Sequence, residues 1–185
     1  MAQQATQVDL GSKAHNFALL DTISDKLISL HDIASTKATV IMFICNHCPY
    51  VKHILPGLVQ VANKYKTQGA SFVAINANDA DQYPQDGPQQ MKELAQQLQL
   101  PFPYLYDQTQ QVARNYGAEC TPEFFIYDSN MALAYHGQFD DSRPGNGKPV
   151  TGKDVTAALD ALIDGQTVPE QQSPAIGCGI KWRPN

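Results

Sequence analysis

The stretch Thr39-Val40-Ile41-Met42-Phe43-Ile44 constrains the fold of this 185-residue chain more than any other. Its six residues are all uncharged, and four are β-branched. Apolar and polar positions do not alternate along it. A strand of that composition has no face suited to water, so it belongs in a sheet covered on both sides. Layers on both faces of one sheet mean an α/β architecture, and the flanking sequence must supply the helices.

It does. Val51, Leu55, Leu58, Ala62 and Tyr65 repeat at helical spacing, and Gly69 marks the end of that helix. Residues 71–76 read as the next strand, which completes a βαβ unit. Residues 78–88 are rich in Asp, Gly and Pro and read as a loop, with Pro88 opening a helix buried through Met91, Leu94, Ala95 and Leu98. A short extended piece at 102–106 leads to a brief helix, capped by Asp107 and stopped by Gly117. Residues 123–127 and 131–136 are two strands joined by Asp128-Ser129-Asn130. Thr151 with Asp154 resembles a capping box for a last amphipathic helix carrying Val155, Ala158, Leu159 and Leu162. Ahead of the long strand, 17–20 and 27–30 predict a peripheral hairpin. Residues 1–13 read as a lead-in, 14–165 as one domain, and 166–185 as a tail lying across the surface.

With 43% hydrophobic residues the chain is expected to be globular. A formal net charge of −5 and the lack of any Lys/Arg run argue against nucleic acid or an anionic membrane as partner. No apolar run is long enough to span a bilayer. The polar, Gln-rich start lacks the basic and apolar regions of a secretory signal, so the expected location is cytoplasmic.

Four cysteines, Cys45, Cys48, Cys120 and Cys178, are too few for a disulfide-stapled scaffold. Cys45 and Cys48 stand two residues apart, between the buried strand and the helix. A thiol at a helix N-terminus faces unpaired N–H groups and the positive end of the helix dipole, both of which favour thiolate. A free thiol with a pKa of about 8.5 is only ~3% ionised at neutral pH, whereas one at about 6 is ~90% ionised. Cys45, at the more exposed end, is the expected nucleophile and Cys48 the resolving thiol. His47, between them, could stabilise the Cys45 thiolate. A structural metal half-site is the competing reading; it needs a second ligand pair, and Cys120 and Cys178 are not close in sequence.

These residues resemble the thioredoxin-like superfamily in its peroxiredoxin-like (AhpC/TSA-type) branch. The resemblance runs from about Ala14 to Gly165. It rests on Phe17-Ala-Leu-Leu-Asp21, on Cys45-Asn46-His47-Cys48 followed by Pro49, on Pro56 within the helix, and on Cys120-Thr121-Pro122 just before a strand. Residues 45–52, 140–144 and 176–182 are more narrowly similar to a bacterial subfamily of thioredoxin-like proteins. The His in the motif resembles the Cys-Pro-His-Cys centre of the oxidant DsbA. A reduced form stabilised in that way implies a potential above that of thioredoxin.

The resemblance implies a thioredoxin-like α/β fold: a central mixed sheet flanked by helices, with the hairpin as an N-terminal extension. It implies that Pro122 is cis and leaves the Thr121 backbone free to pair with a substrate strand; an ordinary trans turn is the alternative. Asn46, Thr121, Pro122 and Gly137 would then contact substrate. Asp140 and Arg143 would rim the groove, or else form a solvated loop. Cys120 would lie near the pair as a third redox thiol, or be a small buried apolar residue. Cys178 reads as a bystander, and a tail reaching back to the site is the weaker reading for it.

Two departures stand out. Thr39 occupies the place of the buried acid of thioredoxins. Met42 occupies the place of the Thr that precedes a peroxidatic cysteine by three residues. The expected activity is dithiol–disulfide exchange with protein or low-molecular-weight thiol or disulfide substrates, supplied by an electron donor the sequence does not name. No cofactor or metal is called for. The rivals are a thiol peroxidase with Cys45 peroxidatic, and a metal-binding or metal-delivery module using the cysteines and a histidine.

Overall fold

A computed structural model describes residues 2–184. The buried run forms β4 (Ala38–Phe43), preceded by β1 (Ala2–Gln4), the hairpin β2 (Ala18–Asp21) and β3 (Leu27–Ser29), and the one-turn helix α1 (Leu30–Ile33). After β4 come α2 (Pro49–Lys66), β5 (Ala70–Asn76), α3 (Pro88–Gln97), β6 (Tyr104–Tyr106) and α4 (Gln111–Tyr116). The chain continues through β7 (Cys120–Thr121), β8 (Glu123–Tyr127), β9 (Leu133–Gly137), α5 (Lys153–Ile163) and β10 (Ile176–Gly179).

Seven strands make one sheet in the order β3-β2-β6-β5-β4-β8-β9. The β4–β5 and β5–β6 pairs are parallel, and the others are antiparallel. This is the central mixed sheet of the thioredoxin-like fold. The hairpin forms one edge of it, with β2 hydrogen-bonded to β6.

Period-two geometry explains why β4 reads as continuously apolar. Val40, Met42 and Ile44 point into a core shared with α2, α3 and α5. Ile41 and Phe43 point into a second core with α1 and α4. Phe124 and Ile126 of β8 join the first core, Phe125 and Tyr127 the second. Each large side chain buried this way contributes about 1.5–3 kcal/mol. The two cores clamp the central strands, and therefore fix the end of β4 from which the Cys45 turn departs.

Two local expectations differ. The N-cap of α5 is Gly152, with φ 64° and no side-chain cap. The N–H groups of Thr151 and Gly152 instead donate to the Asp140 carboxylate (2.7 and 2.6 Å), and Asp154 accepts from Gln138 (2.6 Å). A long-range acid thus replaces the local capping box. The last residues also do more than cross the surface. β10 lies between β1 and β7 in a second, three-stranded sheet, which ties the residues read as lead-in and tail to the loop before β8.

Candidate active site

Cys45 and Cys48 sit where β4 hands over to α2. Cys48 is the N-cap of α2, and Pro49 follows at the first helical position, where no N–H is needed. The Cys48 carbonyl accepts the N–H of Lys52 (3.0 Å). Both cysteines are buried, and all four in the chain are free thiols.

The Thr121–Pro122 peptide is cis, as the resemblance implied, and brings Thr121 onto both sulfurs. Its hydroxyl lies 3.4 Å from Cys45 Sγ. Its carbonyl oxygen lies 3.2 Å from Cys48 Sγ and accepts the Cys48 proton when that thiol is neutral.

The Cys48 thiol is nonetheless held down at about 5, from an ordinary 9.0. A hydrogen bond from the Cys45 thiol does most of this against the opposing effect of burial, and the Cys178 thiol, the Val51 N–H and the Thr121 hydroxyl add to it. Cys45 moves the opposite way. Its thiol acts as donor towards the Cys48 sulfur, it is buried, and the Asp86 charge lies nearby, so it is pushed far up. The sequence reading put the thiolate on Cys45. In the folded protein the balance leans towards Cys48, because the Cys45 thiol acts as donor to its sulfur, with a smaller contribution from the Val51 N–H.

Asp86 was not legible as a site residue. It lies in a short helical turn, Pro84–Asp86, within the segment read as a plain loop, and its side chain is fully buried. Its carboxylate accepts the N–H groups of Asn46 (2.8 Å) and His47 (3.2 Å) and the Asn78 amide (2.8 Å). It also pairs with His47 Nδ1. The His47 ring stacks on Tyr83, with centroids 5.3 Å apart. His47 is thus engaged by Asp86, not by the sulfurs. Asn46 is held as well, through Gln85 O (3.0 Å) and the Tyr104 hydroxyl (3.0 Å). A buried acid does lie beside the pair, supplied by this loop instead of by position 39, where Thr39 accepts the Ser35 N–H (2.9 Å).

Among the described residues one group has metal-ligand geometry: Cys45 Sγ, a His47 ring nitrogen and an Asp86 oxygen lie within 4.8 Å of one another. Two of these three are already hydrogen-bonded to each other, and Asp86 accepts three further N–H groups. An ion would have to break that network, and Cys48 is outside the set.

The other expected residues separate into two groups. Thr121 and Pro122 face the sulfurs, but their exposed edge is covered by the protein's own C-terminal segment. Cys178 pairs opposite Thr121, and a Cβ at Gly177 would overlap the Thr121 carbonyl. Gly137 is covered in the same way by the Ser173 carbonyl, which accepts the N–H of Gln138 (3.2 Å). Asp140 and Arg143 border a small pocket with Tyr50, Pro122 and Ile176. Burial opposes charge on Asp140, but hydrogen bonds from Ser142, Gly152 and Thr151 hold it below the ordinary carboxylate range. Arg143 donates to Asp140 O (2.7 Å) and Ser142 O (2.6 Å) and so pins the loop. Cys120 points away from the pair into a small cluster with Ala5 and Ala175, and burial, followed by the Glu123 charge, pushes its thiol up. Cys178, expected as a bystander, packs against the core cluster that contains Cys48 and is among the groups that hold the Cys48 thiol down.

The AhpC/TSA family profile matches residues 10–136. The chain belongs to the AhpC/TSA family. It is 26% identical over 124 residues to the thiol-disulfide oxidoreductase ResA of Bacillus thuringiensis, a match that spans 67% of this chain and 66% of that protein. Among solved structures, an uncharacterized conserved protein from Geobacillus kaustophilus superposes with a TM-score of 0.98 at 55% identity, covering 100% of this chain and 98% of that one. A candidate thiol:disulfide interchange protein DsbE from Chlorobium tepidum superposes with a TM-score of 0.65 at 25% identity, covering 83% and 99%. The match to the family includes β4, the Cys45-Asn46-His47-Cys48 turn and the cis-proline loop, and stops short of β10. Among the described residues no helix is long and apolar enough to cross a membrane.

Proposed function

We propose that the protein is a thiol–disulfide oxidoreductase in which Cys45 and Cys48 exchange a dithiol for a disulfide with protein or low-molecular-weight substrates. The observation that carries this reading is the pair of buried free thiols at the mouth of α2, both in contact with Thr121 beside the cis Pro122.

Cys48 lies in the same turn as Cys45, and its sulfur is available to take up the proton that Cys45 loses. It accepts the Cys45 proton as a disulfide substrate arrives, and the Cys45 sulfur attacks one substrate sulfur. The substrate S–S bond breaks, and its leaving sulfur takes up a proton. Cys48, once deprotonated, attacks the Cys45 side of the mixed disulfide. The Cys45–Cys48 bond forms, and the second substrate sulfur departs with the second proton. Two electrons pass from the protein to the substrate, and an electron donor of the thiol class restores the dithiol. His47 and Asn46, held by Asp86, fix the turn that carries Cys45. A substrate backbone that is to pair with Thr121 would have to take the place of β10, which occupies that edge.

The peroxidase reading is weakened by Met42, which stands where a peroxidatic centre carries a Thr three residues before its cysteine. Catalysed reduction of insulin by dithiothreitol, lost in Cys45→Ser, supports exchange. A Cys48→Ser variant should trap a mixed disulfide at Cys45. Rapid peroxide consumption with a sulfenate at Cys45 and no insulin reduction would replace this reading with the peroxidase one.

A further inference from the structure

The C-terminal strand β10 seats Cys178 against the cis-proline loop. β10 runs antiparallel to β7, with Cys178 opposite Thr121 and Gly179 opposite Cys120. Thr121 is the residue whose hydroxyl and carbonyl contact Cys45 and Cys48. Cys178 packs against the core cluster that contains Cys48.

This seating is built into the sequence. Glycine inside a strand weakens it and marks a close backbone approach. A Cβ at Gly177 would collide with the Thr121 carbonyl, and one at Gly179 would meet the Gln3 side chain. The two glycines around Cys178 therefore let the strand lie flush between β7 and β1, where Ala2 is its register partner. Hydrogen bonds hold both ends. Ala5 donates to Ala175 O (2.9 Å), Ile180 to Glu119 O (3.0 Å) and Lys181 to Asn78 Oδ1 (2.8 Å). Asp79 N and Gln110 Nε2 both donate to Lys181 O, each at 2.9 Å. Cys178 is only half-buried, so its sulfur does not serve as core filling in the way that Cys120 does.

We propose that Cys178 is a third redox thiol, which exchanges with the Cys45–Cys48 disulfide to give a Cys48–Cys178 disulfide and a free Cys45. The proposal rests on the dithiol–disulfide reading above for its starting disulfide. The Cys178 sulfur attacks Cys48 Sγ, the S–S bond to Cys45 breaks, and its electron pair leaves on the Cys45 sulfur. Cys45 then takes up the proton that Cys178 released. No external oxidant is consumed, because both oxidising equivalents stay within the chain. The product locks β10 onto the cis-proline loop and returns Cys45 to the thiol form.

Oxidation by diamide, alkylation of the remaining thiols and peptide mapping by mass spectrometry test this. In the wild-type protein a peptide pair linking Cys48 to Cys178 should accompany the Cys45–Cys48 species. In Cys45→Ser, one equivalent of oxidant should convert most of the protein to the Cys48–Cys178 form as a monomer. Cys178→Ala should abolish that linkage while leaving Cys45–Cys48 intact. Gly177→Val, which lifts the strand from Thr121, should lower its yield several-fold, with folding checked by circular dichroism. If wild-type protein forms Cys45–Cys48 and reduces insulin, while folded Cys45→Ser leaves Cys48 and Cys178 alkylatable or crosslinks only between molecules, the proposal is overturned and the oxidoreductase reading stands. If the wild-type protein forms neither disulfide, both fall together.

Discussion

Asp86 holds His47 from two directions, through the backbone N–H and the imidazole, with its own side chain fully buried. The same carboxylate accepts the N–H of Asn46. One acid from the loop after β5 therefore fixes the turn between the two cysteines, and its charge is also one of the forces that keep Cys45 protonated.

Replacing Asp86 with Asn should separate these two effects. An amide keeps the size and one acceptor, but turns a second NH2 towards donors that have lost their partner. The expected cost is about 1–3 kcal/mol, read from urea denaturation. Loss of the negative charge should lower the Cys45 pKa, so alkylation of Cys45 should begin at lower pH than in the wild type. An unchanged alkylation profile would show that Asp86 acts only as a brace.

The reduced protein should depend on pH in a way that the oxidised protein does not. Cys48 is held at about 5 in the fold, against an ordinary 9.0. Between those values the unfolded chain binds more protons than the native one, so the native state gains stability as pH rises and loses it as pH falls through 5. Cys45 is pushed up and works in reverse: its contribution is full below 9.0 and is lost as pH climbs higher. A Cys45–Cys48 disulfide removes both groups. Denaturation of reduced protein should show a steeper rise between pH 5 and 9 than that of oxidised protein. Parallel curves would mean that Cys48 titrates normally.

A stabilised thiolate in the dithiol form makes the matching disulfide easier to reduce. The potential of the Cys45–Cys48 couple should therefore lie above that of thioredoxin, roughly −270 mV. Equilibration with glutathione buffers and quantification of the alkylated fraction give the value. A potential at or below that of thioredoxin would contradict the charge placement at Cys48.

The parts of this molecule that were legible in the sequence are those set by local pattern. β4 is apolar on both faces because helices cover both, and the helix after it shows its stripe. What escaped notice depends on partners far away in the chain. Asp86 looks like any acid in an Asp-, Gly- and Pro-rich loop, yet its partners Asn46 and His47 lie about forty residues upstream. Asp140 caps α5 from outside, where a local capping box was expected. Ile176-Gly177-Cys178-Gly179 has too little β-propensity to read as a strand. Its glycines were nevertheless the available signal, since paired glycines around a cysteine fit a backbone pressed against another backbone.

Glu123 and His136 form a second buried pair that local pattern did not reveal, and it supports the site from behind. His136 Nδ1 accepts the Val8 N–H (3.1 Å), so Nε2 carries the proton and donates to Glu123 Oε1 (2.7 Å). The other Glu123 oxygen accepts the N–H groups of Glu119 (2.8 Å) and Cys120 (3.0 Å), at the approach to Thr121. Both side chains are fully buried. Glu123→Ala strands three donors without water and should cost about 3–5 kcal/mol in urea denaturation. Glu123→Gln keeps the side-chain length and an acceptor for the two backbone groups, but sets an NH2 against the His136 N–H unless the ring changes tautomer. It should cost less than Ala and be partly relieved by His136→Gln in a double-mutant cycle. Because the lost bonds end at Cys120, the loosened loop should also speed alkylation of Cys48, and equal Cys48 reactivity in all three proteins would show that the pair stabilises the sheet without positioning the thiols.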